Sequence, residues 1–322
     1  MITIIMPVFN ESGFIYDNVH KVDDLLNENA VSHRFLLVDD GSRDNTWEEL
    51  ERLSDELSIV ELIRLSRNFG KEAALCAALE AVHGEPGKDA VVIMDSDLQH
   101  PPQYIPEMVR LWQEEGYDVV EGVKKNPGKK SLGGKLAAFL FYRTLRRAMH
   151  IDIGQASDFK LMDFEVVEAW RQFRENNTFF RGLSAWTGFR RYAMPFDVEP
   201  RAGGDTKWTF RSLSKLAINS IVSFTSAPLM IVFWLGVLMM IMAIIMTVDT
   251  LYMYFAHYAQ TGFSTVILLQ LFIGSGTMLS LSIIGLYVAK IYDEVKRRPR
   301  YIVRDHRRAS DDSQKTSENS LC

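Results

Sequence analysis

Along the first 120 residues the hydrophobic positions fall in short runs separated by helix-period patterns. Ile2 to Met6, Phe35 to Val38, Ile59 to Ile63, Val91 to Met94 and Val119 to Val120 are apolar with little alternation, as in strands buried on both faces. Between them, the segments that start at Glu11, Arg43, Gly70 and Pro102 read as helices. This β-α-β-α order predicts an α/β fold with a parallel, doubly wound sheet and right-handed crossovers. Ligands of such sheets bind outside the carboxyl ends of the strands, near the point where strand order reverses.

The pattern changes after Tyr117. The stretch VEGVKKNPGKKSLGGK gathers lysines among Pro127 and several glycines, which suits a loop that orders over bound phosphate, or a solvated surface loop. Leu132, Leu136, Phe139 and Leu140 then recur at helical spacing, as in a core helix. Trp208, Phe210, Leu213, Leu216 and Ile221 share an amphipathic pattern with Arg211 and Lys215, suited to a bilayer interface. Two uncharged runs follow, Leu229 to Val248 and Thr265 to Ala289. At ~1.5 Å per residue each covers the ~30 Å hydrocarbon core, so both are predicted to span. The loop Asp249 to Ser264 holds no Lys or Arg, whereas Lys290, Lys296, Arg297, Arg298, Arg300 and Arg304 follow the second run. By the positive-inside rule the loop is external and both termini are cytoplasmic. Gly276 and Ser280 form a small-xxx-small pair that would let membrane helices pack closely. From Asp305 to Cys322 the chain is polar and aperiodic, and is expected to be disordered.

Composition narrows the class. At 322 residues, 47% hydrophobic, the chain can bury one core of domain size with residues left over. A net charge of −5 argues against nucleic-acid binding. Cys76 and Cys322 alone imply no disulfide framework and fit a reducing, cytoplasmic setting. The opening ITIIMPV is strand-like, and no signal peptide is expected.

The predicted strand ends carry the candidate chemistry. The first leads to Pro7, Asn10 and Glu11; the second to Asp39, Asp40, Gly41 and Ser42; the third to Asn68 and Lys71; the fourth to Asp95 and Asp97. Asp95 and Asp97 are two apart, so on an extended chain both carboxylates leave on one side. Held that close they repel, and a hard cation such as Mg²⁺ or Mn²⁺ is the simplest resolution. The alternative is an acidic loop capping the helix that Pro101 and Pro102 begin. Asp40-Gly41-Ser42 alone would pass for a turn, with Asp44 or Asn45 capping the next helix. Four successive polar strand ends instead indicate one shared crevice.

PVFNE, VDDGS, RNFGKEAAL and DSDLQHPP, in this order, resemble glycosyltransferase family 2. Within it the chain is similar to the membrane-anchored polyprenyl-phosphate glycosyltransferases of the bactoprenol glucosyltransferase type, related to dolichyl-phosphate mannose synthases. The resemblance runs from Ile2 to about Arg298. It implies a GT-A, Rossmann-like catalytic domain over 1–207, an interface helix over 208–227, two transmembrane helices over 228–290 joined by a short external loop, and a cytoplasmic basic segment with a disordered tail over 291–322. It also implies a multi-pass protein of the cell inner (plasma) membrane with its catalytic domain in the cytoplasm.

By that resemblance Pro7, Glu11, Asp39 and Asp40 serve the nucleotide, with Asn68 and Lys71 closing its pocket. Asp95, Asp97 and Gln99 hold Mg²⁺ or Mn²⁺ and the diphosphate, and Asp97 counts as catalytic. Asp158 falls where the family carries a carboxylate beside the reacting sugar, as a base or as an orienting group. Arg201 and Lys207, with Lys124 and Lys130 from the lysine loop, are the candidates for the acceptor phosphate. The implied reaction is inverting transfer of a sugar from a nucleotide-sugar, UDP-glucose first, to polyprenyl phosphate. UDP-N-acetylglucosamine, GDP-mannose and other UDP-sugars stay open as donors, and a homo-oligomer stays open as the assembly. A processive synthase fits less well, because no Gln-x-x-Arg-Trp motif is present. From another class, a non-catalytic membrane protein that binds nucleotide-sugar is the alternative.

Overall fold

The structure is a computed structural model, and it describes residues 1–125, 156–173, 180, 188–197, 227–255 and 263–309. In chain order the strands and helices are β1 (Ile2–Val8), α1 (Ile15–Glu28), β2 (His33–Asp39), α2 (Thr46–Glu56), β3 (Val60–Leu65), α3 (Lys71–Ala81), β4 (Ala90–Ile93) and α4 (Ile105–Glu115). They continue as β5 (Val119–Lys124), β6 (Ala156–Asp163), α5 (Phe164–Arg171), β7 (Arg191–Phe196), α6 (Ala227–Phe255), α7 (Phe263–Val295) and β8 (Val303–Arg307). All strands belong to one α/β unit, and α6 and α7 form a second.

The first four strands and the helices between them stand where the hydrophobic pattern predicts, and β1, β2, β3 and β4 are parallel. The sheet as a whole is mixed, in the order β7-β5-β6-β4-β1-β2-β3-β8. The expectation of a purely parallel sheet therefore needs correction. β6 runs antiparallel between β4 and β5, and β8 runs antiparallel on the edge of β3. β6 escapes the hydrophobic pattern because Lys160 lies in its middle, fully buried. Lys160 sits directly across from Glu121 of β5, at 3.4 Å, and over the Phe180 ring. A buried charge is tolerated only where it is paired, and no hydropathy pattern reports the pairing.

Strand parity assigns the two faces. Ile2, Ile4, Met6 and Val8 of β1 pack with α1, α2 and α4, while Ile5 faces the cluster built by α3 and α5. The same alternation holds in β2, where Phe35 and Leu37 take one side and Leu36 and Val38 the other. Asp163 caps α5 by accepting from the Glu165 N–H, and also accepts from the Trp112 indole at 2.7 Å.

The disorder expected from Asp305 onward needs correction as far as Arg307, because β8 reaches that residue. β8 pairs with β3, Arg300 donates to the Phe173 carbonyl at 2.8 Å, Tyr301 donates to Glu80 at 2.5 Å, and His306 meets Glu61 at 2.7 Å. Every residue of β8 is exposed, so backbone pairing and ion pairs hold it, and hydrophobic periodicity carries no trace of it. Residues 310–322 lie outside the described set.

In the second unit, 272–295 is long and apolar enough to cross a membrane, and Val232–Met246 is a shorter apolar stretch. At Gly276 a Cβ would fall 1.8 Å from the Met239 Cε, so α6 and α7 approach closely there, as the small-xxx-small pair suggests. Ser280 donates to the Gly276 carbonyl at 2.9 Å, which satisfies its hydroxyl within α7. The expected interface helix at 208–227 falls outside the described residues except for its last one.

One glycine decides how the strand ends meet. Gly41, just past β2, has φ of +67°, and a Cβ on it would lie 2.3 Å from the Arg67 carbonyl carbon and 2.7 Å from the Asn68 nitrogen. Two backbones touch there, and no side chain fits between them. Gly41→Ala is expected to destabilise the fold by about 2 kcal/mol or more, read as a lower melting temperature of the purified protein. An unchanged melting temperature would show that the two loops separate freely.

Candidate active site

A cavity of about 290 Å³ opens at the carboxyl ends of the first four strands, lined from β1 by Pro7, Val8, Phe9 and Glu11, after β2 by Asp40, after β3 by Asn68, Gly70 and Lys71, and after β4 by Asp95, Ser96 and Asp97. Pro7, Glu11, Asp40, Asn68, Lys71, Asp95 and Asp97, all expected at the site, are thus brought together. The loops are tied by short contacts. The Asn10 N–H donates to the Ser42 hydroxyl at 2.9 Å, the Arg43 N–H donates to the Asn10 side-chain oxygen at 2.9 Å, and the Glu11 N–H donates to the Thr46 hydroxyl at 2.8 Å.

Asp40 is almost fully buried and accepts from the Phe69 N–H at 2.7 Å and the Gly70 N–H at 2.8 Å. Burial raises its pKa against the lowering effect of those two bonds. Its first effect is therefore to hold the loop from which Lys71 projects. Asp39, also expected in the nucleotide site, is completely buried and is not among the lining residues. Its carboxylate accepts from the Ser42 N–H at 2.9 Å and lies 3.4 Å from Arg64, its partner across the β2–β3 register. Consecutive residues at the end of an extended strand point to opposite sides, so only one acid of this pair reaches the cavity.

The centre of the site comes from register. The β4–β6 ladder pairs Ile93 with Lys160, and the same antiparallel step carried two residues on sets Asp95 against Asp158. Both fall on the α3 side of the sheet, and Lys71, the first residue of α3, reaches both: its ammonium lies 2.5 Å from Asp95 and 2.8 Å from Asp158. Burial pulls the Lys71 pKa down, but the two carboxylates outweigh it and the net shift is upward. Asp158, expected near the reacting sugar, is thus joined to the metal-candidate acid by one cation.

Two participants had no assigned role in the sequence reading although both stand inside the DSDLQHPP run. Ser96 donates its hydroxyl to the Glu11 carboxylate. His100 accepts the Asp95 N–H at its Nδ1, 3.0 Å away, which makes it a neutral ring protonated at Nε2, and it stacks on Phe159 of β6 with centroids 5.2 Å apart. His100 therefore fixes the backbone of Asp95 against β6. A polar residue following an acid pair by a few positions was the available signal.

Gln99 is half-buried, and its backbone N–H donates to Asp97 at 3.1 Å. Among the described residues no group of three or more His, Cys, Asp or Glu side chains gathers as a metal cage. Lys124 is the last residue of β5, whereas Lys130, Arg201 and Lys207 lie outside the described residues.

Glu11 is a strongly shifted carboxylate of the cavity lining. Burial, with added repulsion from Asp97 and Asp95, raises its pKa from 4.5 to about 7 against the bond from Ser96. A raised folded-state pKa contributes stability in full below the unfolded value and loses it as pH rises through the folded one. The melting temperature should therefore fall between about pH 4.5 and about pH 7, and Glu11→Gln should remove part of that slope. Identical slopes in both proteins would mean that Glu11 ionises in the fold as it does in solvent.

Residues 3–171 match Glycosyl transferase family 2. The glycosyltransferase YkcC of Bacillus subtilis (strain 168) is 35% identical over 303 residues, covering 94% of this chain and 92% of that protein. A prophage bactoprenol glucosyl transferase homolog of Escherichia coli (strain K12) is 31% identical over 314 residues, 94% of this chain and 98% of that protein. Among solved structures, the chain is similar to glucosyl-3-phosphoglycerate synthase from Mycobacterium tuberculosis at a TM-score of 0.45 and 22% identity, covering 69% of this chain and 77% of that one. With half of its length matched and relatives aligned almost end to end, the chain is a glycosyltransferase and belongs to glycosyltransferase family 2.

Proposed function

We propose that the protein transfers a hexose, with inversion, from a nucleotide-sugar to a polyprenyl phosphate, with UDP-glucose as the first donor to test. The observation that carries the reading is the convergence of Asp95, Asp158 and Lys71 beside a cavity built from four strand ends. The names of the relatives support the acceptor, since several are bactoprenol glucosyl transferases aligned over nearly their whole length.

In this reading the acceptor phosphate oxygen forms a new bond to the anomeric carbon while the bond from that carbon to the diphosphate oxygen breaks on the opposite face. The nucleoside diphosphate leaves with the bonding pair. A phosphomonoester has a second pKa of about 6, so the attacking oxygen is already anionic at neutral pH. Proton abstraction is then dispensable, and Asp158 orients the sugar or the acceptor. Pro7, Glu11, Asp40 and Asn68 hold the nucleoside part, while Lys71 offers its ammonium to the diphosphate. Arg201, Lys207, Lys124 and Lys130 remain the candidates for the acceptor phosphate.

Asp95 and Asp97 both line the cavity, a donor set that fits Mg²⁺ or Mn²⁺, and Gln99, which is not among the lining residues, remains the candidate for a further ligand. Such a pair, with no cage of three or more His, Cys, Asp or Glu side chains among the described residues, suits a cation that completes its shell from substrate phosphates and water. Such a cation would neutralise charge developing on the departing diphosphate. The domain limits 1–207, 208–227, 228–290 and 291–322, both membrane spans, the external loop and the cytoplasmic placement of the catalytic domain are parts of the same proposal. The apolar exposed surface of α6 and α7 supports it, with Phe233, Trp234, Ile245 and Leu281 all more than half exposed.

The test is transfer of radiolabelled sugar from a panel of UDP- and GDP-sugars into organic-extractable lipid, using purified protein, a short-chain polyprenyl phosphate and Mg²⁺ or Mn²⁺. Label is expected in the lipid phase, lost with EDTA and reduced at least about a hundredfold by Asp97→Ala. Nucleotide binding without transfer from any donor would overturn the reading in favour of a binding protein.

A further inference from the structure

The cavity is strongly acidic: Glu11, Asp40, Asp95 and Asp97 line it, and Lys71 is the one cation among the described lining residues. That cation is already committed, since it bridges Asp95 and Asp158 at hydrogen-bond distance. A divalent ion that uses Asp95 must compete with an ammonium that Asp158 also holds. We propose that Lys71 is an exchangeable internal counter-ion, which shields Asp95 while the site is empty and moves to the diphosphate on loading, so that metal and nucleotide-sugar bind tightly only together. The inference rests on reading the cavity as a nucleotide-sugar and metal site.

The geometry supplies both a fixed base and a movable tip. The Lys71 backbone starts α3 directly after Gly70, whose N–H is clamped by Asp40, so the root of the side chain stays in place. Its side chain keeps 39% of its surface exposed, and its ammonium can swing without opening the core. Asp95 lies two residues past β4 with its backbone N–H held by the His100 ring, so it is the lysine that yields.

Each ligand alone meets an opposing charge. A cation arriving first must displace the ammonium from Asp95, one of the two carboxylates that it bridges. A diphosphate arriving first enters a cavity dominated by carboxylates. Together, the diphosphate takes the ammonium and the carboxylate takes the metal, so both penalties vanish. Linkage makes the effect reciprocal, and each ligand tightens the other by the same factor.

The experiment uses the full-length protein in detergent without acceptor and follows the electron paramagnetic resonance of unbound Mn²⁺, with and without UDP. Wild-type protein should bind Mn²⁺ weakly alone and about tenfold or more tightly with UDP. Lys71→Met, and independently Lys71→Gln, should bind Mn²⁺ alone about tenfold more tightly than wild type, with the enhancement by UDP largely gone. A gain of affinity on removing a side chain is not what a merely structural lysine would produce. The proposal is overturned if both variants bind Mn²⁺ alone no better than wild type while Asp97→Asn weakens Mn²⁺ binding in the presence of UDP. If Asp97→Asn leaves that binding unchanged, the metal reading of the cavity itself falls, and the counter-ion with it.

Discussion

Two carboxylates held against each other at the end of a sheet need a positive charge between them, and the α/β unit is arranged around that need. Asp95 lies two residues past the end of β4 and Asp158 within β6, its antiparallel neighbour, so their approach follows the line of the β4–β6 ladder. Lys71 supplies the charge from the start of α3. Asp40 holds the loop that presents it, and the missing side chain at Gly41 lets that loop come close enough. Each feature has its meaning only through the one before it.

The same electrostatic logic recurs two residues further down β6. Lys160 is fully buried and directly opposite Glu121, with Arg191 3.7 Å from the same carboxylate. Removing one member of such a pair leaves an uncompensated charge in low dielectric, which costs far more than the intact pair contributes. The face of the sheet that carries α3 thus holds paired charges from its interior out to the site. The opposite face, under α1, α2 and α4, is built almost wholly of apolar side chains.

The end of the chain adds a constraint of another kind. After α7 the backbone rejoins the α/β unit through Arg300, Tyr301 and β8, so the apolar helices lie between two parts of the same sheet in sequence. β8 also covers the edge of β3, which would otherwise expose unpaired backbone groups.

By itself the sequence determined the parts that depend on local pattern: four parallel strands and their helices, the polar residues at their ends, the two apolar helices and the family. Each rests on hydrophobic periodicity or on contiguous motifs, and both are written along the chain. It was silent wherever a residue's environment is made by distant partners. β6 was hidden because its buried lysine is compensated by a residue of β5, and β8 because it is held by backbone pairing with no apolar face. Asp39 and Asp40 are adjacent in sequence, yet strand parity buries one behind Arg64 and turns the other toward the loop of Lys71. The acid pair was legible as Asp95 with Asp97, neighbours in the chain. Only the tertiary structure decided that the lysine-bridged pair is Asp95 with Asp158, because register between antiparallel strands joins residues that no local spacing relates.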